Sequence, residues 1–340
     1  MTPPMHRPRQ APMTVIGAGS WGTALAIQCA RAGHPTRLWG RDAALMDAMQ
    51  RVRRNERYLA DARFPQTLEI VADLSTALKG ARDVLVAVPS SAFRAVLLEI
   101  RPHLGDDTRL SWASKGFERR TGLLPHQVAA EILGDRPGAV LSGPTFATEV
   151  GAGLPTAMTV ASRDPEFAKE LALRLSGPKF RAYMQSDLVG VEVGGAVKNV
   201  IAIGAGIADG MGFGSNTRVA LITRGLAEMM RLGLALGAER TTFMGLAALG
   251  DLVLTCTDDQ SRNRRLGLAL GAGRSLEDAQ RAIGQVVEGA TAAEAVRLVA
   301  EREGVDMPIC LEVYRIMHEA RPVRDALQAL MGREVRSETE

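Results

Sequence analysis

The sequence predicts an α/β protein in which an N-terminal Rossmann-type doubly wound sheet is followed by an all-helical C-terminal domain. Three observations lead to this prediction. A glycine-rich turn at residues 17–22 joins a short apolar run to a helical pattern. Up to about residue 187, short apolar runs alternate with helical patterns, which is typical of a parallel sheet covered by helices on both faces. Beyond that point only helical patterns occur.

The length of the chain favours two domains. It has 340 residues, and a domain typically takes about 150 residues. Residues 1–12 are basic and proline-rich and lack the apolar segment of a signal peptide, so we expect a disordered leader there. We expect a dinucleotide-binding Rossmann domain over residues 13–187 and a helical substrate and catalytic domain over residues 188–340, with a cleft between them.

The predicted elements follow from where apolar periodicity starts and stops. Apolar runs predict strands at residues 14–16, 35–39, 68–72, 83–88, 109–113, 139–142, 155–161 and 179–184. Helical periodicity predicts first-domain helices at residues 20–32, 42–54, 74–79, 92–100, 123–133 and 165–175. It also predicts second-domain helices at residues 188–209, 217–236, 242–255, 261–270, 276–283, 291–303, 310–320 and 323–331.

Composition and charge exclude several classes of protein. The net charge is only +3, and no basic stripe is interleaved with aromatic residues, so we expect no nucleic-acid partner. The apolar stretch at residues 188–208 contains Glu192, Lys198, Asn199 and five glycines, so we expect a buried helix and no membrane span. The three cysteines are far apart, and no Cys/His cluster has metal-ligand spacing, which predicts no metal site and reduced thiols in a cytoplasmic protein.

The turn after the first strand carries the pattern G-x-G-x-x-G, with a strand before it and a helix after it. Gly17 permits the tight turn, Gly19 lets the backbone approach a pyrophosphate, and Gly22 lets the helix pack closely on the strand. The pyrophosphate would lie at the N-terminus of the helix that begins at Ser20, where unpaired N–H groups favour an anion. The alternative is a tight strand-to-helix turn with no ligand.

The end of the second predicted strand bears on coenzyme choice. Arg41 suits the 2′-phosphate of NADP, so we predict that NADP is preferred. NAD stays an alternative because the adjacent Asp42 could bind ribose hydroxyls, and a solvated Arg41 is a second alternative. The arginine-rich run from Arg51 to Arg57 is interpreted as a solvated charged surface.

Lys198 is the main candidate for proton transfer. The chain has 41 lysines and arginines, of which only five are lysines, so a lysine kept in an apolar helix is a candidate for work that arginine cannot do. Burial would lower its pKa, and it could then exchange a proton with a carbonyl or alcohol oxygen. The alternative is a structural lysine whose amine reaches the surface. The histidines have no suitable acid partner, which disfavours a histidine-based mechanism.

Three further stretches could line a substrate. Asp251 lies in an apolar stretch, where it could orient Lys198, bind a substrate hydroxyl or cap a helix. Ser261-Arg262-Asn263 opens a helix and would suit a phosphate, the alternative being an ordinary capped helix. Lys115 follows a predicted strand and would contact the nicotinamide end of a cofactor or a substrate phosphate, or be an ordinary loop lysine.

Six motifs along the chain resemble, in identity and order, those of the bacterial family of NAD(P)-dependent sn-glycerol-3-phosphate dehydrogenases. They lie at residues 15–26 (Val-Ile-Gly-Ala-Gly-Ser-Trp-Gly-Thr-Ala-Leu-Ala), 113–116 (Ala-Ser-Lys-Gly), 141–147 (Leu-Ser-Gly-Pro-Thr-Phe-Ala), 192–203 (Glu-Val-Gly-Gly-Ala-Val-Lys-Asn-Val-Ile-Ala-Ile), 249–256 (Leu-Gly-Asp-Leu-Val-Leu-Thr-Cys) and 261–265 (Ser-Arg-Asn-Arg-Arg). The resemblance spans residues 14–289. It departs at Thr145, where some relatives have serine, and in the proline-rich leader.

The resemblance implies reversible reduction of dihydroxyacetone phosphate to sn-glycerol 3-phosphate with NADP or NAD, which supplies phospholipid synthesis in the bacterial cytoplasm. It implies that Lys198 donates and accepts the proton. The substrate would be lined by Lys115, Gly143, Thr145, Lys198, Asp251, Ser261, Arg262 and Asn263. The cofactor would contact Gly17, Gly19, Ser20, Trp21, Gly22, Arg41, Lys115, Ala147, Arg262, Val286 and Glu288.

Two rival hypotheses remain at this point. A β-hydroxyacid or 6-phosphogluconate dehydrogenase would share the architecture and a lysine, but it would need a carboxylate-binding pocket where this chain has a candidate phosphate site. A non-catalytic NADP-binding redox sensor would not need Lys198 and Asp251. We expect a homodimer, because closed two-fold homo-oligomers are the commonest assemblies.

Overall fold

The structure, a computed structural model, describes residues 11–284 and 287–332. By its internal contacts the chain divides into two compact units. Unit 1 comprises residues 1–115 and 125–188, and unit 2 comprises residues 116–124 and 189–340. Residues 116–124, which the sequence interpretation placed in the first domain, therefore group with the helical unit. Residues 1–10 of the predicted leader, and Val286, lie outside the described residues.

Unit 1 is built on an eight-stranded sheet and a small hairpin. Its strands are β1 (Met13–Ile16), β2 (Thr36–Trp39), β3 (Arg54–Asn55), β4 (Leu59–Arg63), β5 (Leu68–Val71), β6 (Asp83–Val86), β7 (Arg109–Trp112), β8 (Gly138–Ser142), β9 (Thr156–Ser162) and β10 (Phe180–Gln185). Its helices are α1 (Ser20–Arg31), α2 (Ala43–Val52), α3 (Leu74–Leu78), α4 (Ser90–Ile100), α5 (Pro125–Leu133), α6 (Ala147–Ala152) and α7 (Pro165–Leu175), with a 3-10 turn at Arg101–His103.

The sheet has the strand order β5-β2-β1-β6-β7-β8-β9-β10. β1 lies between β2 and β6 and is parallel to both, so the chain winds outward in both directions from β1. β9 runs antiparallel to β8, and β10 is parallel to β9. Every residue of β1, β6 and β7 is buried, as expected for central strands covered on both faces. The predicted doubly wound Rossmann-type sheet is confirmed.

The segment after α2 differs from the prediction. α2 ends at Val52, because Arg53 takes a left-handed conformation with φ of 55° and closes the helix. Residues 54–63 then form the antiparallel β3–β4 hairpin. Asn55, inside the run interpreted as a solvated charged surface, is fully buried, so that interpretation is wrong for this residue.

Unit 2 is helical, and the predicted all-helical C-terminal domain is confirmed. Its helices are α8 (Leu188–Gly210, which begins at the boundary between the units), α9 (Ser215–Ala235), α10 (Asp251–Thr257), α11 (Arg262–Gly271), α12 (Leu276–Ile283), α13 (Glu288–Glu303), α14 (Pro308–His318) and α15 (Val323–Met331). α8 is long and apolar enough to span a membrane, with a mean hydropathy of 1.5, but 94% of its apolar window is buried inside the protein. It is the buried helix that the sequence predicted.

The region predicted as one helix over residues 242–255 is three shorter segments. A 3-10 turn at Arg240–Met244 precedes a π-helical turn at Leu246–Gly250, and α10 follows. Gly245 interrupts the helix because its backbone is extended, with φ of −92° and ψ of −176°. The amide of Gly250 donates to the carbonyl oxygen of Gly245 at 3.1 Å, five residues back, which is the hydrogen bond of a π turn.

Candidate active site

The glycine turn after β1 has the geometry that a bound dinucleotide requires. Gly17 has φ of +118°, a conformation that other residues rarely adopt, and a Cβ there would lie 2.4 Å from the carbonyl oxygen of Ala87. A Cβ at Gly22 would lie 1.9 Å from the carbonyl oxygen of Gly17, so the close approach of α1 to the turn requires glycine. A Cβ at Gly19 would meet no atom within 4 Å, so the space beside the turn is open.

The first turn of α1 fits an anionic group. Gly19 is the N-cap residue and no side chain caps the helix that starts at Ser20. The buried Nε1 of Trp21 has no hydrogen-bond partner within the described part of the chain. Unpaired N–H groups at a helix N-terminus attract phosphate. The residues present therefore fit the pyrophosphate of a dinucleotide at this turn.

At the end of β2, the two residues weighed for coenzyme choice differ in their partners. The Oδ1 atom of Asp42 accepts the backbone N–H of Leu45 at 3.0 Å and so caps α2. The Oδ2 atom of Asp42 lies 3.4 Å from the guanidinium of Arg57. Arg41 is exposed, and no described residue forms a hydrogen bond or ion pair with it. Asp42 is thus engaged within the protein, while Arg41 is available to a ligand.

Lys115 and Gly143 follow β7 and β8, which are parallel to β1 through β6. Both therefore lie at the same sheet edge as the glycine turn, and ligands in open α/β sheets bind at this edge. The hydroxyl of Ser114 donates to the carbonyl oxygen of Val88 at 2.5 Å and fixes the turn before Lys115.

The turn after β8 is shaped by close backbone packing. Gly143 has φ of +151°, and a Cβ there would lie 2.9 Å from the Cα of Met158. The hydroxyl of Thr145 donates to the carbonyl oxygen of Gly143 at 3.3 Å. α6 begins at Ala147, and its N-terminus has no side-chain cap, so a second set of helix amides lies at the same sheet edge.

In unit 2, Lys198 forms a buried ion pair. Lys198 is 7% exposed, and its Nζ donates to Oδ1 of Asp251 at 2.5 Å and to Oγ1 of Thr255 at 3.0 Å. The Thr255 hydroxyl donates in turn to the main-chain oxygen of Asp251 at 2.5 Å. Of the roles weighed for Asp251, the structure shows the contact that orients Lys198. It does not show a helix cap, because the residue that caps α10 is Gly250.

The ion pair allows Lys198 to be buried in a largely apolar setting with its positive charge balanced by Asp251. A buried ammonium is costly without a partner, and the carboxylate of Asp251 offsets that cost while favouring the protonated amine. The thiol of Cys256 lies close to this pair, and burial raises its pKa to about 12. Cys256 is therefore a neutral thiol at neutral pH and places no negative charge beside Lys198.

Small residues on α8 bring the π turn against this lysine. A Cβ at Gly194, one helical turn before Lys198, would lie 2.8 Å from the carbonyl oxygen of Ala247. The backbone of the π turn thus packs directly against α8 one turn before Lys198. The π turn leads directly into Asp251, so this contact sets where the carboxylate meets the lysine.

The start of α11 combines a capped helix with an available arginine. Ser261 is the N-cap residue, and its Oγ accepts the N–H of Arg264 at 3.2 Å. Arg262 is half-buried, and no described residue forms a hydrogen bond or ion pair with it. The hydroxyl of Ser261 is thus already engaged as a cap, while the guanidinium of Arg262 can bind an anion.

Asn263 connects three elements of unit 2. Its Nδ2 donates to Oδ1 of Asn199 at 2.9 Å, next to Lys198, and its Oδ1 accepts the N–H of Gly289 at 3.0 Å. Both ends of the Asn263 amide are therefore used inside the protein. Glu288, at the first position of α13, is placed beside this network by Gly289.

Arg264 is neutralised by internal partners. Its guanidinium contacts Asp209 and lies 2.9 Å from Asp259, and Asp209 also binds Arg218 at 2.7 Å. Burial favours the protonated form of Asp209, but the hydrogen bonds from Arg218 and Arg264 hold its pKa below the usual value. The guanidinium of Arg264 is therefore held by internal carboxylates and is not available to an anionic ligand at the start of α11.

Four glycines bring α8 and α11 into backbone contact. A Cβ at Gly206, Gly210, Gly267 or Gly271 would lie 2.1–2.4 Å from a carbonyl oxygen of the opposite helix. Helices with glycine at such a crossing can approach until their backbones touch, and the fit allows little sliding. The register between Lys198 on α8 and Arg262 on α11 is therefore set by backbone packing.

Several residues of this arrangement were not predicted. Thr255 lies one turn after Asp251 on α10, and that spacing could have indicated a shared face. Asn199 is next to Lys198, and no pattern marked it as the partner of Asn263. Within residues 11–284 and 287–332, no group of three or more His, Cys, Asp or Glu side chains could hold a metal ion.

Two protein-family models together match most of the chain. The family model described as "NAD-dependent glycerol-3-phosphate dehydrogenase N-terminus" matches residues 12–168, and that of the C-terminus matches residues 187–328. The chain belongs to this family. A relative from Edwardsiella ictaluri (strain 93-146), named glycerol-3-phosphate dehydrogenase [NAD(P)+], is 56% identical over 330 residues, which cover 96% of this chain and 98% of the relative.

Solved structures agree with this membership. A crystal structure of glycerol-3-phosphate dehydrogenase from Coxiella burnetii has a TM-score of 0.93 at 48% identity and covers 96% of this chain and 100% of its own. A PanE/ApbA family ketopantoate reductase from Ralstonia eutropha JMP134 has a TM-score of 0.59 at 16% identity, covering 91% of this chain and 97% of its own. At that identity it shares the fold alone.

Proposed function

We propose that this protein catalyses the reversible, NAD(P)H-dependent reduction of dihydroxyacetone phosphate to sn-glycerol 3-phosphate. Family membership supports the reaction, and the buried Lys198–Asp251 pair is the observation that carries the proposed mechanism. When bound, the reduced nicotinamide supplies a hydride to the carbonyl carbon of the substrate. The residues of the chain bind the two ligands and handle the proton.

Unit 1 binds the dinucleotide in this proposal. The backbone amides at the start of α1, from Ser20 to Gly22, hold the pyrophosphate, and the indole N–H of Trp21 supplies a further donor. Arg41 binds the 2′-phosphate and makes NADP the preferred cofactor, because Asp42 is engaged as the cap of α2. Lys115 and Ala147, at the same sheet edge, contact the nicotinamide end.

Unit 2 supplies the proton and part of the substrate site. The Nζ of Lys198 donates a proton to the carbonyl oxygen as hydride arrives, and takes it back from the alcohol in the reverse direction. Asp251 and Thr255 orient the amine and favour its protonated form. Arg262 binds the substrate phosphate at the start of α11, with Asn263 holding that turn in place.

Further parts of the proposal rest on the family resemblance and on general expectation. Gly143, Thr145, Ser261 and Glu288 complete the ligand contacts. The product supplies phospholipid synthesis in the cytoplasm, and the protein works as a homodimer. Sedimentation or light scattering measures the assembly directly.

The first test measures the loss of NADPH absorbance on addition of dihydroxyacetone phosphate, repeated with NADH and with a panel of hydroxy acids and their keto forms. We expect fast loss with dihydroxyacetone phosphate, and faster with NADPH than with NADH. Folded protein that binds NADPH but is active only on the keto acids would replace this proposal with the hydroxy-acid hypothesis. Inactivity on every substrate would favour the redox sensor.

The proton-transfer role has its own test. Lys198→Ala should lower turnover at least about 100-fold, the low end for loss of a general acid–base group. NADPH binding, measured by calorimetry, should persist, because the cofactor-binding residues of unit 1 are unchanged. Turnover equal to that of the wild type would refute the role of Lys198.

A further inference from the structure

The β3–β4 hairpin is tied to the glycine turn of unit 1. Asn55 is fully buried, and its Nδ2 donates to the carbonyl oxygen of Ala18 at 2.9 Å and to Oγ1 of Thr23 at 2.8 Å. Ala18 lies within the glycine turn and Thr23 in the first turns of α1. The backbone N–H of Tyr58 donates to Oδ1 of Asn55 at 3.2 Å, so one buried amide joins the hairpin to the turn.

This anchoring places Arg57 beside the end of β2. Arg57 lies in the tip of the hairpin, between β3 and β4, and its guanidinium is 3.4 Å from Oδ2 of Asp42. The same guanidinium lies over the ring of Tyr58, 5.1 Å from its centre. The side chain of Arg57 is 60% exposed. Arg41, exposed and directly before Asp42 in the chain, lies at the same strand end.

The charges at this strand end favour a phosphate over a pair of ribose hydroxyls. A carboxylate with free oxygens would accept hydrogen bonds from the hydroxyls and repel a 2′-phosphate. Asp42 has both oxygens engaged, one with the N–H of Leu45 and one with Arg57. The two arginines exceed the single carboxylate by one charge, and the planar guanidinium group matches phosphate oxygens in geometry.

We propose that Arg57 is a second determinant of coenzyme choice, which binds the adenosine 2′-phosphate of NADP together with Arg41. Asp42 acts as a positioning residue that holds the Arg57 guanidinium at the end of β2. The proposal rests on the proposed NADP preference and extends it to a residue of the hairpin, outside the glycine turn and strand β2.

The test is calorimetric binding of NADP+ and of NAD+ to the wild type and to Arg57→Ala. We expect the affinity for NADP+ to fall about 10-fold, which corresponds to one charge-assisted hydrogen bond at an exposed site. The affinity for NAD+ should change less than about 2-fold, because NAD+ has no 2′-phosphate for Arg57 to contact. The NADP+ difference should shrink as salt is added, because exposed charges are screened.

Two further variants make the result specific. Arg63→Ala removes the same charge from an exposed position in strand β4 of the same hairpin, and it should leave both affinities unchanged. Arg57→Lys keeps the charge without the planar fork, so it should recover part of the NADP+ affinity. Thermal unfolding of each variant checks that the hairpin is intact.

The outcomes separate this inference from the proposed function. A wild type that prefers NADP+ and an Arg57→Ala variant with the same preference would overturn the role of Arg57 and leave the role of Arg41 standing. An equal loss of affinity for both cofactors would also overturn it, because the residue would then support the dinucleotide site as a whole. A wild type that binds both cofactors equally would contradict the NADP preference itself, and the role of Arg57 with it.

Discussion

Replacing Asp251 with asparagine removes the negative charge beside Lys198 and keeps nearly the same side-chain volume. The two side chains are 2% and 9% exposed, and the pair is 2.5 Å apart. Leaving a buried charge without its partner costs about 3–5 kcal/mol. The Thr255 hydroxyl still accepts a hydrogen bond from Lys198, so we expect the lower end, about 3 kcal/mol of the free energy of unfolding.

The same change should alter catalysis in a way that a purely structural role would not. With the carboxylate gone, the protonated amine is less favoured, so the alkaline limb of the rate of reduction should move to lower pH. The amine also loses a partner that orients it, so turnover should fall more than the affinity for dihydroxyacetone phosphate. Urea unfolding and a pH–rate profile measure the two effects separately.

Thr255→Val is the matched control for this experiment. It removes the uncharged hydroxyl that accepts a hydrogen bond from Lys198 and keeps the shape of the side chain. Hydrogen bonds to charged groups contribute about 1.5–3 kcal/mol, so we expect a cost of about 1.5 kcal/mol, with little movement of the pH–rate profile because no charge is removed. An Asp251→Asn protein with the stability and pH–rate profile of the wild type would refute the reasoning. A Thr255→Val protein that shifts the profile as far as Asp251→Asn would show that hydrogen bonding, and not charge, is what matters.

Two further predictions concern unit 2. The carboxylate of Glu228 accepts the N–H groups of Ile309 and Cys310, and burial raises its pKa from 4.5 to about 7. Between these two pH values the folded protein therefore holds a proton that the unfolded chain has released. The free energy of unfolding falls as the pH rises through this range. Glu228→Gln should reduce that loss by roughly 2–3 kcal/mol between about pH 5 and about pH 8, and unfolding curves with equal pH dependence in both proteins would contradict it. Gly267→Ala would place a Cβ 2.1 Å from the backbone oxygen of Ile203. We expect the free energy of unfolding to fall by about 1–3 kcal/mol and dihydroxyacetone phosphate to bind more weakly. Unchanged stability would contradict the backbone contact of α8 with α11.

Several features were determined by short-range sequence patterns. The strand, glycine turn and helix at residues 13–31 were predicted because two glycines there meet local requirements, a positive φ at Gly17 and the absence of a Cβ at Gly22. The change to an all-helical second unit was also predicted, because hydrophobic periodicity is read over a single window of the chain. Lys198 stood out as one of few lysines in an apolar helix, which is a property of composition.

Other features were decided only when distant segments came together. The sequence left three roles open for Asp251: capping a helix, binding a ligand or contacting Lys198. The π turn packs on Gly194 and so places the Asp251 carboxylate against Lys198. The arginines near Asn55 looked like a solvated surface, because the charge pattern says nothing about a buried amide reaching Ala18. Ion pairs and side-chain hydrogen bonds between elements depend on three-dimensional register, and register is set by backbone packing that no local pattern encodes.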